Sequence, residues 1–294
     1  MALRKLSFVT ILCFASSPVL ADDWLGARSA GRGGTGLADG ADAGAVSVNL
    51  ATTALAPRYD MVAGGVRGPD DTWLGRVAAV DSRTSAVTLG ATYTYKLDNV
   101  PPIGASLPGW VQAGDEVDNP TSHQAVSVGL AYPFLGNRLG LGVTGRYDWR
   151  VAQNEGEDSG FNVGVSVAGR PSDAVTLAAG IQNIVDYDYA DTRRLVDLGV
   201  RWQPGQYLAV EVGAKTEWMG DPFEESLAEH AGIDLFATEW LALRGGWQHE
   251  DGLHTVGGGI GLVSDRADLD YALTGEVGSD PLRLWHGLDL RIHF

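Results

Sequence analysis

The sequence predicts an all-β chain, a transmembrane antiparallel β-barrel of about 14 strands with an N-terminal hatch segment inside the barrel. Three observations carry this. Apolar residues recur at every second position from about residue 57 to the last residue, the period of a strand with one apolar face. The connections alternate between short and long, so the long ones gather at one end of the sheet, as in outer-membrane barrels. The positions opposite the apolar ones are often charged, and a lipid-facing Arg or Lys at the bilayer midplane costs about 2 to 4 kcal/mol. Those positions must therefore face a wet or ion-paired lumen.

The first element is a leader. Arg4 and Lys5 precede an apolar run at 6–15 that is too short to span a bilayer, and Val19, Leu20 and Ala21 offer small residues for cleavage. This reads as a secretory signal, 1–21. The single cysteine, Cys13, falls within it, so no disulfide framework is expected, and Leu12 before it argues against a lipid anchor. The 294 residues less 21 leave 273, and removing Arg4 and Lys5 from 21 basic residues leaves 19 against 37 acidic, a balance near −18. Such a chain repels polyanions, which speaks against nucleic acid as a partner. No later stretch approaches 18 uninterrupted apolar residues, which excludes a spanning helix and leaves a spanning sheet open.

The second element, 22–56, is the hatch. Its run "SAGRGGTGLADGADAGAV" at 29–46 contains the spacing G-x-G-x-x-G at Gly31, Gly33 and Gly36. A dinucleotide loop with that spacing must leave a buried strand and open a helix. No apolar strand precedes these glycines, so no nucleotide or other cofactor is expected. Between 26 and 46, seven glycines and six alanines occupy 21 positions, which leaves little bulk for a separate core but permits close backbone approach to a wall. Eight strands fill a barrel with their own side chains, whereas 16 to 18 leave a channel. A barrel of 14 needs a filler, and this segment is the one available.

The third element, 57–294, is the barrel. Two less regular segments at 58–67 and 72–82 open it, followed by alternation at 87–96, 126–134, 139–150, 161–167, 175–181, 196–202, 208–214, 233–235, 241–247, 256–262 and 269–273. The last strand places Leu288, Leu290, Ile292 and Phe294 on one face. Charges expected toward the lumen are Arg146, Asp148, Asp197, Arg201, Glu211, Lys215, Arg244, Asp289 and Arg291. Long connections are expected at 98–121, 151–159, 186–193, 217–228 and 277–283. The first is a candidate lid through Ile103, Leu107, Trp110 and Val111. Aromatic residues near strand ends, among them Tyr93, Tyr132, Tyr147, Trp202, Trp240, Trp247 and Trp285, suit two interfacial girdles. A soluble sandwich or propeller would also alternate, but would require neither the girdles nor the charged inner face.

Catalytic chemistry finds no support. "HEDGLH" places His249 and His254 five apart, whereas a helical zinc pair needs four, and Gly252 marks a hairpin tip; it reads as a polar turn. No Ser and His lie in a context that marks a nucleophile. The acidic stretches 154–160 and 221–229 lack the spacing of a calcium loop and read as solvated charge. No catalytic or metal residue is assigned.

The run "GARSAGRGGTGLADGADAGAVSVNLATTAL", followed by such a barrel ending in Phe, resembles the FadL-like fatty-acid transporters and the related PorV/PorQ group. Gly31, Gly33, Gly34 and Gly36 match the family's glycine-rich stretch, Asp39 and Asp42 its acidic, alanine-rich segment, and Asn49 the start of its Asn-Pro-Ala-Gly. The chain departs from it at Leu50, Ala51 and Thr52. The resemblance implies a hatch folded into a barrel in the outer membrane of a Gram-negative bacterium. Outer-membrane lipid and the barrel assembly machinery are then partners, with Leu290, Ile292 and Phe294 as the assembly signal. The implied activity is passive uptake or export of small hydrophobic molecules. The alternatives are a protein-binding barrel that assists secretion or surface assembly of a secreted protein, and a closed structural barrel without transport.

Overall fold

The computed structural model describes residues 26–40, 43–69, 72–98, 121–152, 156–185, 194–217, 227–250, 252–279 and 282–294. The signal segment, Asp42 and the proposed lid with Ile103, Leu107, Trp110 and Val111 lie outside them. The alternating segments form fourteen strands: β1 (Tyr59–Arg67), β2 (Trp73–Asp81), β3 (Thr88–Asp98), β4 (Thr121–Phe134), β5 (Leu139–Ala152), β6 (Gly156–Ser172) and β7 (Val175–Gln182), then β8 (Leu195–Trp202), β9 (Leu208–Glu217), β10 (Ala228–Phe236), β11 (Leu241–Glu250), β12 (Leu253–Leu262), β13 (Ala267–Val277) and β14 (Leu284–His293). Each pairs with its sequence neighbours, and β14 returns to β1, with Ala63 opposite Leu290, to close an antiparallel barrel. Closure pairs every strand laterally and leaves no sheet edge, which is what a membrane interior requires.

Alternation divides the side chains between two environments. On β13, Leu269, Tyr271 and Leu273 are exposed on the outer surface, while Asp268, Asp270 and Ala272 are buried within. The same division places Leu89, Val128, Val143, Leu198, Leu288 and Leu290 outside. Tyr132, Phe134, Trp202, Tyr207 and Trp240 are exposed near the ends of strands joined by the short turns. Trp285 departs from the girdle expected of it. Its position on β14 turns it inward, where it is 8 % exposed and packs with Val66 and Leu74.

Every connection after an even-numbered strand is short, the longest ones all follow odd-numbered strands, and the end that carries them is here termed the loop end. A long loop at 151–159 does not form. The ladder continues through Arg150 opposite Asp158 and Trp149 opposite Ser159, so the acidic stretch belongs mostly to β6. The tenth strand is also longer than the 233–235 of the sequence reading, because Ala228 to Leu235 pair with β9 and Glu229 to Phe236 with β11.

The N-terminal segment lies inside the cylinder. It forms two single-turn helices, α1 (Ala27–Ala30) and α2 (Leu50–Thr53), with a 3-10 turn at Ala43–Ser47 between them. Helices this short are not stable through propensity, so the wall must hold them. The segment follows the wall: α1 contacts β12, β13, β14 and β1, the 3-10 turn contacts β1 to β4, and α2 contacts β4 to β6.

Candidate functional site

The inner segment and the wall beside it form the candidate site, a barrel lumen crossed by its own chain. Two kinds of contact hold the segment, and they divide it.

The first half, 26–40, is held by charge. Arg32 is 2 % exposed and lies 2.9 Å from Asp39, 3.1 Å from Asp234 on β10 and 3.7 Å from Glu211 on β9. Arg28 reaches Asp39 at 3.2 Å, and Arg201 on β8 reaches Asp39 at 3.5 Å and Glu211 at 3.6 Å. Arg244 bridges Asp234 at 3.2 Å to Asp270, and Arg291 joins Asp270 at 3.7 Å to Asp268 at 3.3 Å. Five guanidinium groups, of Arg28, Arg32, Arg201, Arg244 and Arg291, thus meet five carboxylates, of Asp39, Glu211, Asp234, Asp268 and Asp270. Balance matters here, because an unpaired buried charge is far costlier than a paired one. Burial opposes ionisation of Asp39, but Arg201, Arg28 and Arg32 outweigh it and hold the carboxyl below the ordinary carboxylate range.

The backbone of this half is also bound. Glu211 accepts hydrogen bonds from the Gly36 and Ala38 amides, each at 3.0 Å. Gly33 adopts φ +68° and rests on the backbone of Trp247, 2.3 Å from where a Cβ would stand. Gly246 faces it from β11, and a Cβ there would lie 1.9 Å from the carbonyl carbon of Arg32. Gly31 lies against Gly259 and Ala272, and Gly34 beside Gln248. Gly31 and Gly33 of the G-x-G-x-x-G run are therefore places where two backbones meet, whereas Gly36 gives its amide to the Glu211 carboxylate.

The second half, 43–56, is held mainly by apolar contact. Val46, Leu50 and Ala54 pack with Ala43 against Val62, Ala78, Val80 and Ala131 of the wall. Asn49 is fully buried, and its Nδ2 donates to the carbonyls of Val167 and Ala179 at 3.4 Å.

Inward apolar residues gather on one stretch of wall, where Val62, Ala78 and Val80 lie below and Val66, Leu74 and Trp285 above, nearer the loop end. An ion pair separates the two groups. Arg76 on β2 lies 3.4 Å from Asp289 on β14, and both are in register with Gly64 on the intervening β1. A Cβ at Gly64 would fall 1.7 Å from the Asp289 carboxylate, so the bridge exists because β1 offers no side chain there. Asp289 also accepts from the Ala27 amide at 2.7 Å, tying the start of the segment to the same point.

The remaining predicted charges lie along the lumen toward the loop end. Arg146 pairs with Asp148 at 2.8 Å, and Asp148 also receives His123 at 3.2 Å. Asp197 accepts from Gln182 at 2.8 Å and stands in register with Lys215. At the turn end a cavity of about 560 Å³ opens between the segment and the wall, lined by Asp39, Thr52, Leu55, Arg58, Arg170 and Arg201 among others. At the seam, Phe294 donates its amide to the Tyr59 carbonyl at 3.0 Å, and the two rings lie 5.0 Å apart. Leu290 and Ile292 face outward.

Arg28, Arg32 and Arg76 carry this arrangement and were not singled out from the sequence. The signal was present for the first two: an arginine in a segment that must fill a barrel needs a carboxylate.

No family model and no curated protein sequence matches the chain. Solved structures do. The toluene transporter TbuX of Ralstonia pickettii is 13 % identical with a TM-score of 0.66, over 92 % of this chain and 98 % of that one. The monoaromatic hydrocarbon channel CymD is 9 % identical with a TM-score of 0.68, over 92 % and 97 %. A FadL homologue of Pseudomonas aeruginosa is 11 % identical with a TM-score of 0.64, over 92 % and 98 %. At the level of fold, this supports the FadL-like resemblance and does not speak specifically to the PorV/PorQ group.

Proposed function

We propose that this chain is an outer-membrane channel for passive passage of small hydrophobic molecules, with residues 26–56 acting as a hatch. The observation that carries the reading is the course of that segment, whose helical turns line the inside of a 14-stranded barrel from β12 through β14 and β1 to β6. The apolar outer surface suits lipid, and the basic start, apolar run and small residues of 1–21 suit export. The likeness to barrels described as a toluene transporter and a monoaromatic hydrocarbon channel supports the ligand class. Within the lumen, an apolar solute finds favourable contact along Trp285, Leu74 and Val66 and then along Val62, Ala78 and Val80. The Arg76–Asp289 bridge interrupts that path, so passage requires the bridge and the segment tied to it to move.

Uptake of labelled toluene by Gram-negative cells tests this. Their lipopolysaccharide leaflet retards apolar solutes that plain phospholipid would pass. Cells bearing the protein should take up toluene faster than cells without it, with no gain for a sugar of similar size. Equal toluene rates would refute the proposal.

A second reading, a closed structural barrel, is favoured by the balanced set of five cations and five anions, because charges paired within an interior can rigidify it. It predicts no acceleration of any solute.

A further inference from the structure

The hairpin of β11 and β12 gives "HEDGLH" a different meaning from a polar turn. Its connection is only 251–252, so residues five apart become direct cross-strand partners, and His249 stands opposite His254. The spacing that excludes a helical pair is the one a two-residue hairpin loop needs. Both rings lie on the outer surface at the loop end. Their centroids are 4.7 Å apart and their planes within 27° of parallel. Trp247 completes the stack, 6.1 Å from His249 and 5.8 Å from His254. Its indole Nε1–H donates to Nδ1 of His254 at 3.2 Å, which marks a ring-nitrogen lone pair available along the surface. On the other side of His249, β10 places Glu229 in register and on the same face.

We propose that His249 and His254 form an outward-facing bis-imidazole site for a divalent transition-metal ion. Metal–nitrogen bonds of about 2.0 Å place two ligating nitrogens roughly 3 to 4 Å apart. Rings already side by side reach that separation by rotation about their exposed side-chain bonds. The metal takes the His254 lone pair in place of the indole N–H, and the Glu229 carboxylate adds a negative field beside it. Among the described residues no three ligating side chains converge, so water or a lipid headgroup oxygen completes the shell. Imidazole pairs favour Cu²⁺ over Zn²⁺ and Ni²⁺, and a chain of formal net charge −16 attracts cations of any kind. The site is independent of transport.

The test uses untagged full-length protein in detergent micelles, titrated with Cu²⁺ and followed by calorimetry and electron paramagnetic resonance. One ion should bind per chain, with hyperfine coupling to two imidazole nitrogens. His249→Ala and His254→Ala should each weaken binding at least about tenfold, since even indirect partners of a metal commonly cost 10- to 100-fold. The double variant should abolish it. Trp247→Phe should bind at least as tightly as the native chain. His286→Ala, which removes an outward imidazole bound to the Tyr271 hydroxyl, should change nothing. Heat-modifiable gel mobility verifies that each variant is folded. Bound copper without nitrogen coupling in the native protein, or a double variant that binds unchanged, would overturn the proposal.

Discussion

At the scale of single residues, buried arginines tie the inner segment to the wall. Arg32 touches Asp39, Glu211 and Asp234, as Arg201 also does, and its removal takes one cationic partner from each of three buried carboxylates. Breaking a buried pair in this way costs about 3 to 5 kcal/mol. Arg32→Ala should therefore lower the urea midpoint of the folded protein in micelles, and an unchanged midpoint would show that the network contributes nothing. The Arg76–Asp289 bridge calls for the opposite design, because apolar replacement of a whole buried pair is often neutral. Arg76→Leu with Asp289→Leu should join the two apolar groups of the wall into one strip and accelerate toluene uptake by cells. Slower uptake in a folded double variant would show that the bridge assists passage. Residues of this kind were only partly legible in the sequence. Alternation marks Asp289 as inward, but nothing local shows that Gly64 leaves room for Arg76 to reach it across a strand.

At the scale of elements, the strands were legible wherever apolar residues kept the two-residue period, as on β5, β12 and β14. The start of β6 was not. Residues 156–160 have no apolar alternation, and they extend the sheet only because β5 already presents a partner ladder. Trp285 shows the converse, since composition suggested an interface and register turned it inward. The inner segment was legible as a filler from its glycine and alanine content, but its course was not, because its first half is held mostly by strands more than a hundred residues away, while its second half packs on β1 to β6. That course can be tested through one close approach. Thr35 is fully buried, so Thr35→Cys should resist a membrane-impermeant maleimide. Adding Gly246→Val drives a side chain into the Arg32 backbone and should expose that cysteine to labelling. Continued protection would mean that the segment is not seated on β11.

At the scale of the whole molecule, the sheet closes on itself at the β1–β14 seam, and the chain's own N-terminal segment lies along the inner wall. The first feature makes it compatible with lipid, and in the proposed function the second makes it selective. Both rest on most strands being apolar on the outer face and charged, polar or small on the inner, with β1, β2 and Trp285 of β14 forming the apolar exception on the inner wall. The measurement that tests the account most directly is toluene uptake by cells carrying a reversible lock on the inner segment. Ala38→Cys with Gly199→Cys places two Cβ atoms about 3.6 Å apart, within disulfide range. Oxidised cells should take up toluene no faster than cells lacking the protein, and reduction should restore the unlocked rate. Uptake that continues undiminished with the disulfide formed would contradict the claim that this segment is the gate.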